Sequence, residues 1–423
     1  MKQRGRHRRR RRGRALRATL AGAALALTAT ATMISVSQAT GTGDPGPLEP
    51  LTSLAATAPL NLAEDPVPGD SLNRLSASLG DPVGVSTVLD EPEGALRDAE
   101  HCPSADRAAL PVTPAATRAY CWDPADTRGW TAGAVTTSGD ADDDGRWGQH
   151  KVILSGWSAE SARTGDDLAR VAFVDADDSA RPDYSFALLV VPDDDGRDYQ
   201  GLDSRLSGMV WYGDKLVVTA ADPDADALYV FDLDRIHRTT VSEPAVGKVA
   251  DGWSAAGQRF VLPAVAAYRG EVHPDALSLD RSTAPDTLVA SEWVPADAEG
   301  GSRLWRYPLT EDALSGPLET GAGGLAAPEE AYRTEATGVR GVLAHRSGWY
   351  LSRPADPDTD RGTLWRQNTD GAKAAECGAE EFRNCWSGSA APLSYWAQTG
   401  ELWSQSDHAL FALPLASVDD SLG

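Results

Sequence analysis

The chain has 423 residues and is acidic, with 62 Asp and Glu against 39 Lys and Arg. Ten of the basic residues lie between Lys2 and Arg17, so removal of that leader leaves 29 basic residues against 62 acids, a net charge of −33. Such a charge repels phosphate groups and therefore excludes general binding to nucleic acid or to anionic membrane surfaces. A hydrophobic content of 41%, with 13 Trp, allows a large core and excludes global disorder.

The first 39 residues have the pattern of a secretory signal peptide. The basic stretch is followed by an apolar segment over Ala18 to Val36, and Ser37-Gln38-Ala39 fits a small-residue cleavage site. A retained membrane anchor is the alternative, but the segment is only mildly apolar and no stop-transfer charge follows it. We therefore predict a signal peptide over residues 1–39 and a secreted, extracellular protein. The export route stays open.

The four cysteines form two local pairs, and export permits disulfide bonds between them. Four cysteines allow three connectivities. Their clustering favours Cys102 with Cys121 and Cys377 with Cys385. A redox-active or metal-binding thiol pair is the alternative, but no C-x-x-C motif occurs. We predict two short closed loops, and a loop of about 15 residues stabilises a fold by roughly 3 kcal/mol in the chain-entropy treatment.

The composition divides the rest of the chain into two parts. Residues 40–94 are rich in Pro, Ala, Gly and Leu without sustained periodicity, which predicts a low-order N-terminal arm. Residues 95–423 contain, from about residue 150 onward, short β-type runs separated by turn residues. The clearest runs are Met209 to Tyr212 and Lys215 to Thr219, joined by Gly-Asp, which predicts a tight hairpin because glycine adopts positive φ.

This hairpin is one of several similar units. Val342 to Ser352 has a predicted turn at Ser347-Gly348, and Tyr395 to Trp403 has one at Thr399-Gly400. The triplet at Leu304-Trp305-Arg306 recurs 60 residues later as Leu364-Trp365-Arg366. About five units of about 53 residues each are visible between residues 151 and 415. Repeats of this length with short strands are typical of propeller blades.

We therefore predict that residues 95–423 form an all-β, β-propeller-like domain with five or six blades. A two-sheet β-sandwich is the alternative, since its strands also alternate between apolar and polar residues. A sandwich gives no reason, however, for a hairpin, loop and strand to recur with aromatic residues at matching places.

One segment also resembles a known family. Residues 208–236, GMVWYGDKLVVTAADPDADALYVFDLDRI, are similar to a segment of exported actinobacterial β-propeller-like proteins of unassigned function. The similarity continues through LSLDRSTAPDTLVASEW, GWYLS and LFALPL, and covers roughly residues 119–415. The resemblance implies a secreted propeller-like domain and brings no catalytic residues with it. This chain has Thr219-Ala220 where the family often has Asp-Thr.

Acidic turns are the most distinctive candidate site. The spacing D-x-D-x-D occurs three times, at Asp140, Asp142 and Asp144, at Asp222, Asp224 and Asp226, and at Asp356, Asp358 and Asp360. Alternate carboxylates in a curled loop can converge on Ca²⁺, which takes six to eight oxygen ligands. The alternative is that these aspartates are ordinary exposed turn residues that bond to their own backbone. Calcium is the one cofactor that the sequence indicates.

Other catalytic signals are weak. No H-E-x-x-H, G-x-S-x-G or phosphate-loop motif occurs, and the histidines are scattered. Asp280 and Glu292 lie beside predicted strands and are candidates for a carboxylate-based site. Six tryptophans recur at similar points of the units, which favours core packing over carbohydrate stacking; they are Trp211, Trp293, Trp305, Trp349, Trp365 and Trp403.

The leading functional prediction is an extracellular binding or scaffold module. The alternative is a calcium-assisted propeller hydrolase of the lactonase or phytase type, which requires carboxylates or histidines with shifted pKa values at the channel mouth. A purely structural envelope protein would need neither a ligand-binding groove nor such catalytic groups. We expect a monomer with an unidentified extracellular ligand or protein partner, without nucleic acid and without membrane contact after signal cleavage.

Overall fold

The computed structural model describes residues 43–160, 167–220, 227–298, 300–310, 315–321, 323–355, 361–378, 382–388 and 392–423. The predicted signal peptide lies outside these ranges, and so do the acidic loops at residues 222–226 and 356–360.

The described part of the chain consists mainly of strands. In chain order they are β1 (Glu49–Pro50), β2 (Leu62–Pro66), β3 (Gly94–Ala95), β4 (Arg97–Asp98), β5 (Arg118–Cys121), β6 (Thr131–Thr137), β7 (Val152–Glu160), β8 (Asp167–Asp175), β9 (Asp183–Pro192), β10 (Tyr199–Gly201), β11 (Met209–Tyr212), β12 (Lys215–Thr219), β13 (Leu228–Asp232), β14 (His237–Arg238), β15 (Val246–Val249), β16 (Gly252–Ala255), β17 (Phe260–Arg269), β18 (Ala276–Asp280), β19 (Thr287–Ser291), β20 (Ser302–Pro308), β21 (Leu325–Ala326), β22 (Glu330–Thr334), β23 (Gly341–His345), β24 (Gly348–Arg353), β25 (Thr363–Asn368), β26 (Gly371–Ala374), β27 (Ser394–Trp396), β28 (Glu401–Ser406) and β29 (Ala409–Pro414).

The helices are short. The α-helices are α1 (Leu54–Thr57), α2 (Gly69–Leu79), α3 (Gly84–Leu89), α4 (Ser104–Ala108), α5 (Ser138–Ala141) and α6 (Leu415–Asp420), and single 3₁₀ turns lie at Ala58–Leu60, Ala99–His101 and Leu233–Arg235.

The described strands build five antiparallel four-stranded units, which we call blades 1 to 5. Blade 1 contains β6 to β9, blade 2 contains β11, β12, β13 and β17, blade 3 contains β18, β19, β20 and β22, blade 4 contains β23 to β26, and blade 5 contains β27, β28, β29 and β5. Each blade begins with a strand that pairs with the next strand in sequence, as the repeated hairpins predict.

The first strands of the blades form a ring. Strand β6 contacts β11, β11 contacts β18, β18 contacts both β23 and β27, and β27 contacts β6. Sheets arranged around a ring of first strands are the architecture of a propeller. The prediction of an all-β, β-propeller-like fold is therefore confirmed, and the described blades number five.

Two features join the blades into one body. Strand β5, from before blade 1, supplies the outer strand of blade 5 by pairing with β29, so the last blade is completed by an early part of the chain. Strands β9 and β17 pair in parallel, which merges the outer edges of blades 1 and 2 into one sheet. Both pairings join residues distant in sequence.

The interfaces between blades explain the apolar runs of the sequence. Every residue of β11 and β12 is buried, as expected for strands covered on both faces. Of the six recurring tryptophans, Trp211, Trp305, Trp349, Trp365 and Trp403 are at most 3% exposed, which confirms core packing for these five. Trp293 is different, because 44% of its surface is exposed.

The hairpin turns agree with the sequence at one position and differ at another. Gly213 has φ of 56° in the turn that joins β11 and β12, as predicted. The predicted turn at Ser347-Gly348 is wrong by one residue, because Gly348 already pairs with His345. Arg346 takes the positive φ instead, at 55°. Gly348 stays in the strand under the Arg366 side chain, where a Cβ atom would lie 2.5 Å from Nε.

The described residues of the predicted arm, 43–94, pack against the propeller, so the prediction of a low-order arm is wrong for them. Strand β1 pairs with β22 of blade 3, and β2 pairs with β17 of blade 2. Helix α2 buries Leu72, Leu75 and Leu79, which lie on one helical face. Residues 43–94 therefore stabilise the outer strands β17 and β22, which are distant in sequence.

The cysteines pair as predicted. Cys102 is bonded to Cys121, with 5.7 Å between the Cα atoms, and Cys377 is bonded to Cys385, with 6.0 Å. Among the described helices, none is both long and apolar enough to span a bilayer.

Candidate functional site

The carboxyl ends of the first strands meet at one end of the ring, which we call the mouth. A small cavity of about 70 Å³ lies there, lined by Asp140 after β6, Arg281 and Ser282 after β18, His345 at the end of β23 and Tyr395 of β27. Residues from four blades therefore surround one space. Such convergence follows from the ring, because every first strand ends at the same face.

A larger cavity of about 300 Å³ adjoins it. Its walls include Asp142 and Asp143 from the loop after α5, Asp214 and Lys215 from the β11–β12 hairpin, and Arg281. Arg281 lines both cavities. A volume of this order suits a small organic ligand.

Asp140 is the most strongly perturbed acid of the mouth. It is 2% exposed, and its Oδ2 accepts hydrogen bonds from Thr136 Oγ1 at 2.7 Å and from Ser394 Oγ at 2.8 Å. Burial raises the pKa of its carboxyl to about 6, against a smaller opposing effect of the two hydroxyls. Because Thr136 belongs to blade 1 and Ser394 to blade 5, this carboxyl links the two blades across the ring closure.

The backbone around Asp140 is held by close packing. A Cβ atom on Gly139 would lie 2.4 Å from Cδ1 of Trp396, and a Cβ atom on Gly145 would lie 2.9 Å from Nε1 of Trp396. Gln398 Nε2 donates to the Asp143 carbonyl at 2.9 Å. The loop from 138 to 145 is therefore fixed on the end of blade 5.

Arg281 connects the mouth loops through its guanidinium group. Its Nη2 donates to the Asp140 carbonyl at 2.7 Å, and its Nη1 pairs with Asp143 and, at 3.0 Å, with Asp286. The side chain is 16% exposed, whereas that of Asp143 is 90% exposed. The positive charge is thus neutralised internally, and the carboxylate of Asp143 remains accessible to solvent.

Lys215 is neutralised in the same way. Its Nζ lies 2.7 Å from Asp214 Oδ2 and 3.4 Å from Asp232 Oδ2, and its side chain is only 10% exposed. Both basic residues of the large cavity are therefore paired with carboxylates. The accessible charge of the cavity is negative.

A buried ion pair supports the mouth on the side of blade 3. Asp280, one of the acids predicted for a catalytic site, accepts from Arg306 Nη1 at 3.0 Å and from Ser282 N at 2.8 Å. Arg306 also pairs with Glu330. The other predicted acid, Glu292, lies at the opposite end of the ring and is bound to Arg303 through both carboxylate oxygens. The structure does not bring Asp280 and Glu292 together.

His345 and Tyr395 supply the aromatic wall of the small cavity. Their ring centroids are 4.8 Å apart with an interplanar angle of 56°. Burial lowers the pKa of His345, and the nearby charge of Arg346 acts in the same direction. The small cavity therefore contains an acid with raised pKa and a histidine with lowered pKa.

The first acidic loop does not have the geometry of one calcium site. Asp140 is turned inward, whereas Asp142 and Asp144 are exposed and accept the backbone N–H groups of Asp144 and Arg146, at 3.2 and 2.8 Å. The three carboxylates do not converge, because α5 rotates Asp140 away from the two turn residues. The other two predicted loops, with Asp222, Asp224 and Asp226 and with Asp356, Asp358 and Asp360, lie outside the described residues.

Two other groups in the described chain bring three possible metal ligands within 4.8 Å of one another. One contains Asp214, Asp232 and Asp234, and there the Lys215 ammonium already lies between two of the carboxylates. The other contains His150, Asp175 and Asp177. Its Asp177 is already held by Arg146 at 3.4 Å and by the Lys151 N–H at 3.1 Å.

Sequence reasoning selected Asp140 through its spacing and missed Arg281, His345 and Tyr395. These residues belong to three blades, and no local motif connects them. The available signal was positional, because each lies at or near the carboxyl end of a predicted first strand, where residues of a propeller converge.

No family model matches the chain, and no curated protein matches it. Among solved structures the chain is similar to Drosophila Plexin A in complex with Semaphorin 1b, with 14% sequence identity and a TM-score of 0.22. The match covers 68% of this chain and 55% of the Plexin A chain, so it spans about half the length of that protein.

Proposed function

We propose that the protein is a secreted binding module whose ligand occupies the large cavity at the mouth of the ring. The observation that carries this proposal is a cavity of about 300 Å³ whose wall is fixed by internal ion pairs and close packing. A preorganised cavity loses little conformational freedom when it takes up a ligand. The leader sequence and the two disulfide bonds support a secreted location.

The charge distribution indicates the class of ligand. Lys215 and Arg281 are largely buried and paired with carboxylates, whereas Asp142 and Asp143 are exposed at the rim. The acidic chain adds a long-range negative potential. A ligand with an amine or another positively charged group fits this cavity, and a phosphate or carboxylate ligand does not.

Thermal unfolding of residues 40–423 tests the proposal. The probes are spermidine, lysine, glucosamine and Ca²⁺, with Mg²⁺ as the metal control and with phosphate and citrate as anions. A probe at one hundred times its Kd stabilises the native state by about 2.7 kcal/mol, which gives a measurable rise in Tm. We expect a rise with an amine and none with the anions.

A pair of variants locates the binding. The double change Asp142→Asn and Asp143→Asn keeps the side-chain shape of both rim residues and removes their charges, so it should abolish most of the rise. Asp251→Asn is the matched control, since Asp251 is exposed in the distant β15–β16 turn. Stabilisation by anions, or an equal amine effect in the double variant, would contradict the proposal. A rise with Ca²⁺ alone, absent with Mg²⁺, would support a calcium site instead.

A propeller hydrolase is the second candidate, and one observation favours it. Asp140 and His345 line the same small cavity, and their surroundings shift their pKa values in opposite directions from their usual ranges. Titratable groups whose surroundings shift their pKa values and that share one cavity are candidates for acid and base catalysis. Hydrolysis of lactone and phosphoester substrates by the wild type, lost in both Asp140→Asn and His345→Gln, would support this candidate. Equal rates in wild type and variants would exclude it.

A further inference from the structure

The opposite end of the ring, where the first strands begin, carries an exposed aromatic residue. Trp293 follows β19, whose last residue Ser291 pairs with Ala276, the first residue of β18. Arg340 immediately precedes β23, and Asp275 immediately precedes β18. These residues therefore lie at the far end of the ring from Asp140 and Arg281.

Trp293 departs from the tryptophans that recur with it. The other five are at most 3% exposed, whereas Trp293 is 44% exposed. Core packing explains the other five and does not explain Trp293. Trp293 therefore presents a large, flat aromatic surface to solvent, on which a ligand can stack.

The indole ring is held in a defined place. Arg340 lies with its guanidinium carbon 5.0 Å from the ring centroid, and its Nη1 is bound to both oxygens of Asp275 at 3.1 and 3.4 Å. The chain on either side of Trp293 is also anchored. Glu292 is bound to Arg303, and the Val294 carbonyl accepts the Gly338 N–H at 2.7 Å.

The three side chains together supply the groups that a sugar requires. A flat indole face suits the apolar face of a pyranose ring, and Arg340 and Asp275 offer N–H donors and carboxylate acceptors for hydroxyl groups. Both charged side chains remain partly open to solvent, at 28% and 22% exposure. A fixed aromatic residue with paired polar neighbours loses little entropy on binding.

We propose that Trp293, Arg340 and Asp275 form a platform that binds a saccharide unit of an extracellular polysaccharide. A protein partner is the other class that uses exposed Trp and Arg. The most energetic contacts of protein interfaces lie in surroundings from which water is excluded. The groups placed around Trp293 are instead charged and partly solvated, which favours the sugar. This platform is separate from the cavity at the mouth, and either site can be correct without the other.

Native affinity electrophoresis tests the platform, with soluble α-glucan, β-glucan, galactomannan and xylan in the gel. We expect at least one polysaccharide to retard the wild type. Trp293→Ala should weaken that binding at least tenfold, and Trp293→Phe should weaken it less, because a smaller aromatic face remains. Arg340→Met should also weaken it, since the ring loses its support and the sugar loses a donor.

The control is Phe382→Ala, which removes another exposed aromatic side chain, 51% exposed, from the loop closed by Cys377 and Cys385. It should leave the retardation unchanged. Melting temperatures of all variants show whether each is folded, and Trp293→Phe keeps the test valid if Trp293→Ala is unstable. Absence of retardation of the wild type on all four polysaccharides overturns the proposal, and so does equal retardation of the wild type and the folded Trp293 variants.

Discussion

The buried carboxyl of Asp140 should make the stability of the protein depend on pH between about 4 and 6. Its pKa is raised from an ordinary value of 3.8 to about 6 in the folded chain, chiefly by burial. At about 1.36 kcal/mol per pKa unit, this difference corresponds to about 3 kcal/mol. The folded state binds the proton more tightly than the unfolded state, so this stabilisation is fully present below pH 3.8 and is lost as pH rises through about 6.

Asp140→Asn removes this dependence, because the amide stays neutral at every pH and its carbonyl can still accept from Thr136 or Ser394. Relative to wild type, the free energy of unfolding of the variant should therefore rise by about 2–3 kcal/mol between pH 4 and pH 7. Urea unfolding followed by tryptophan fluorescence at several pH values measures the difference. Asp142→Asn, an exposed change in the same loop, is the control and should show no such trend. A flat difference for Asp140→Asn would refute the reasoning.

Two further substitutions test the packing of the mouth. Gly139→Ala places a Cβ 2.4 Å from Trp396 and should lower the free energy of unfolding by about 1–3 kcal/mol. Gly371→Ala, with open space around it, is the control and should change the free energy of unfolding little. A calorimetric melt compares the two variants, and equal Tm values would contradict the close packing. Arg306→Met leaves Asp280 buried without its cation and should cost about 3–5 kcal/mol, of which a second change, Asp280→Asn, should restore a large part. Additive losses in urea unfolding would show that the two residues are not coupled.

Local patterns predicted the parts of the fold that are local. The Gly213-Asp214 turn, the two disulfide bonds and the succession of hairpins each depend on residues close in sequence. The first two were predicted correctly, and the hairpins were predicted with one turn displaced by one residue. The arm was predicted wrongly because its strands pair with distant partners. Strand β2 is stabilised by β17, about 200 residues later, and no local periodicity reveals that pairing. The spacing of Leu72, Leu75 and Leu79 did contain a helical signal that composition alone obscured.

The candidate site was predicted less well for a physical reason. The spacing of Asp140, Asp142 and Asp144 suggests one common face, but a single turn of helix is enough to send the first carboxyl into the interior. Arg281 and His345 carry no motif and become neighbours of Asp140 only because the ring brings the strand ends together. Position in the repeat therefore says more about the site than spacing within one loop.

The repeat also explains where the small cavity forms. In blade 3, Ser278 pairs with Val289, which pairs with Arg306; in blade 4, Leu343 pairs with Tyr350, which pairs with Arg366. Ser278 and Leu343 are therefore equivalent positions. Two residues later along each strand, Asp280 of blade 3 is equivalent to His345 of blade 4. In blade 3, the Arg306 side chain forms an ion pair with Asp280 and occupies the space beside that strand end. In blade 4 the equivalent Arg366 lies near Asp419 instead, with 3.6 Å between Nε and the carboxylate. His345 is then left to line the cavity. The same blade framework thus gives a closed ion pair in one blade and a cavity wall in the next.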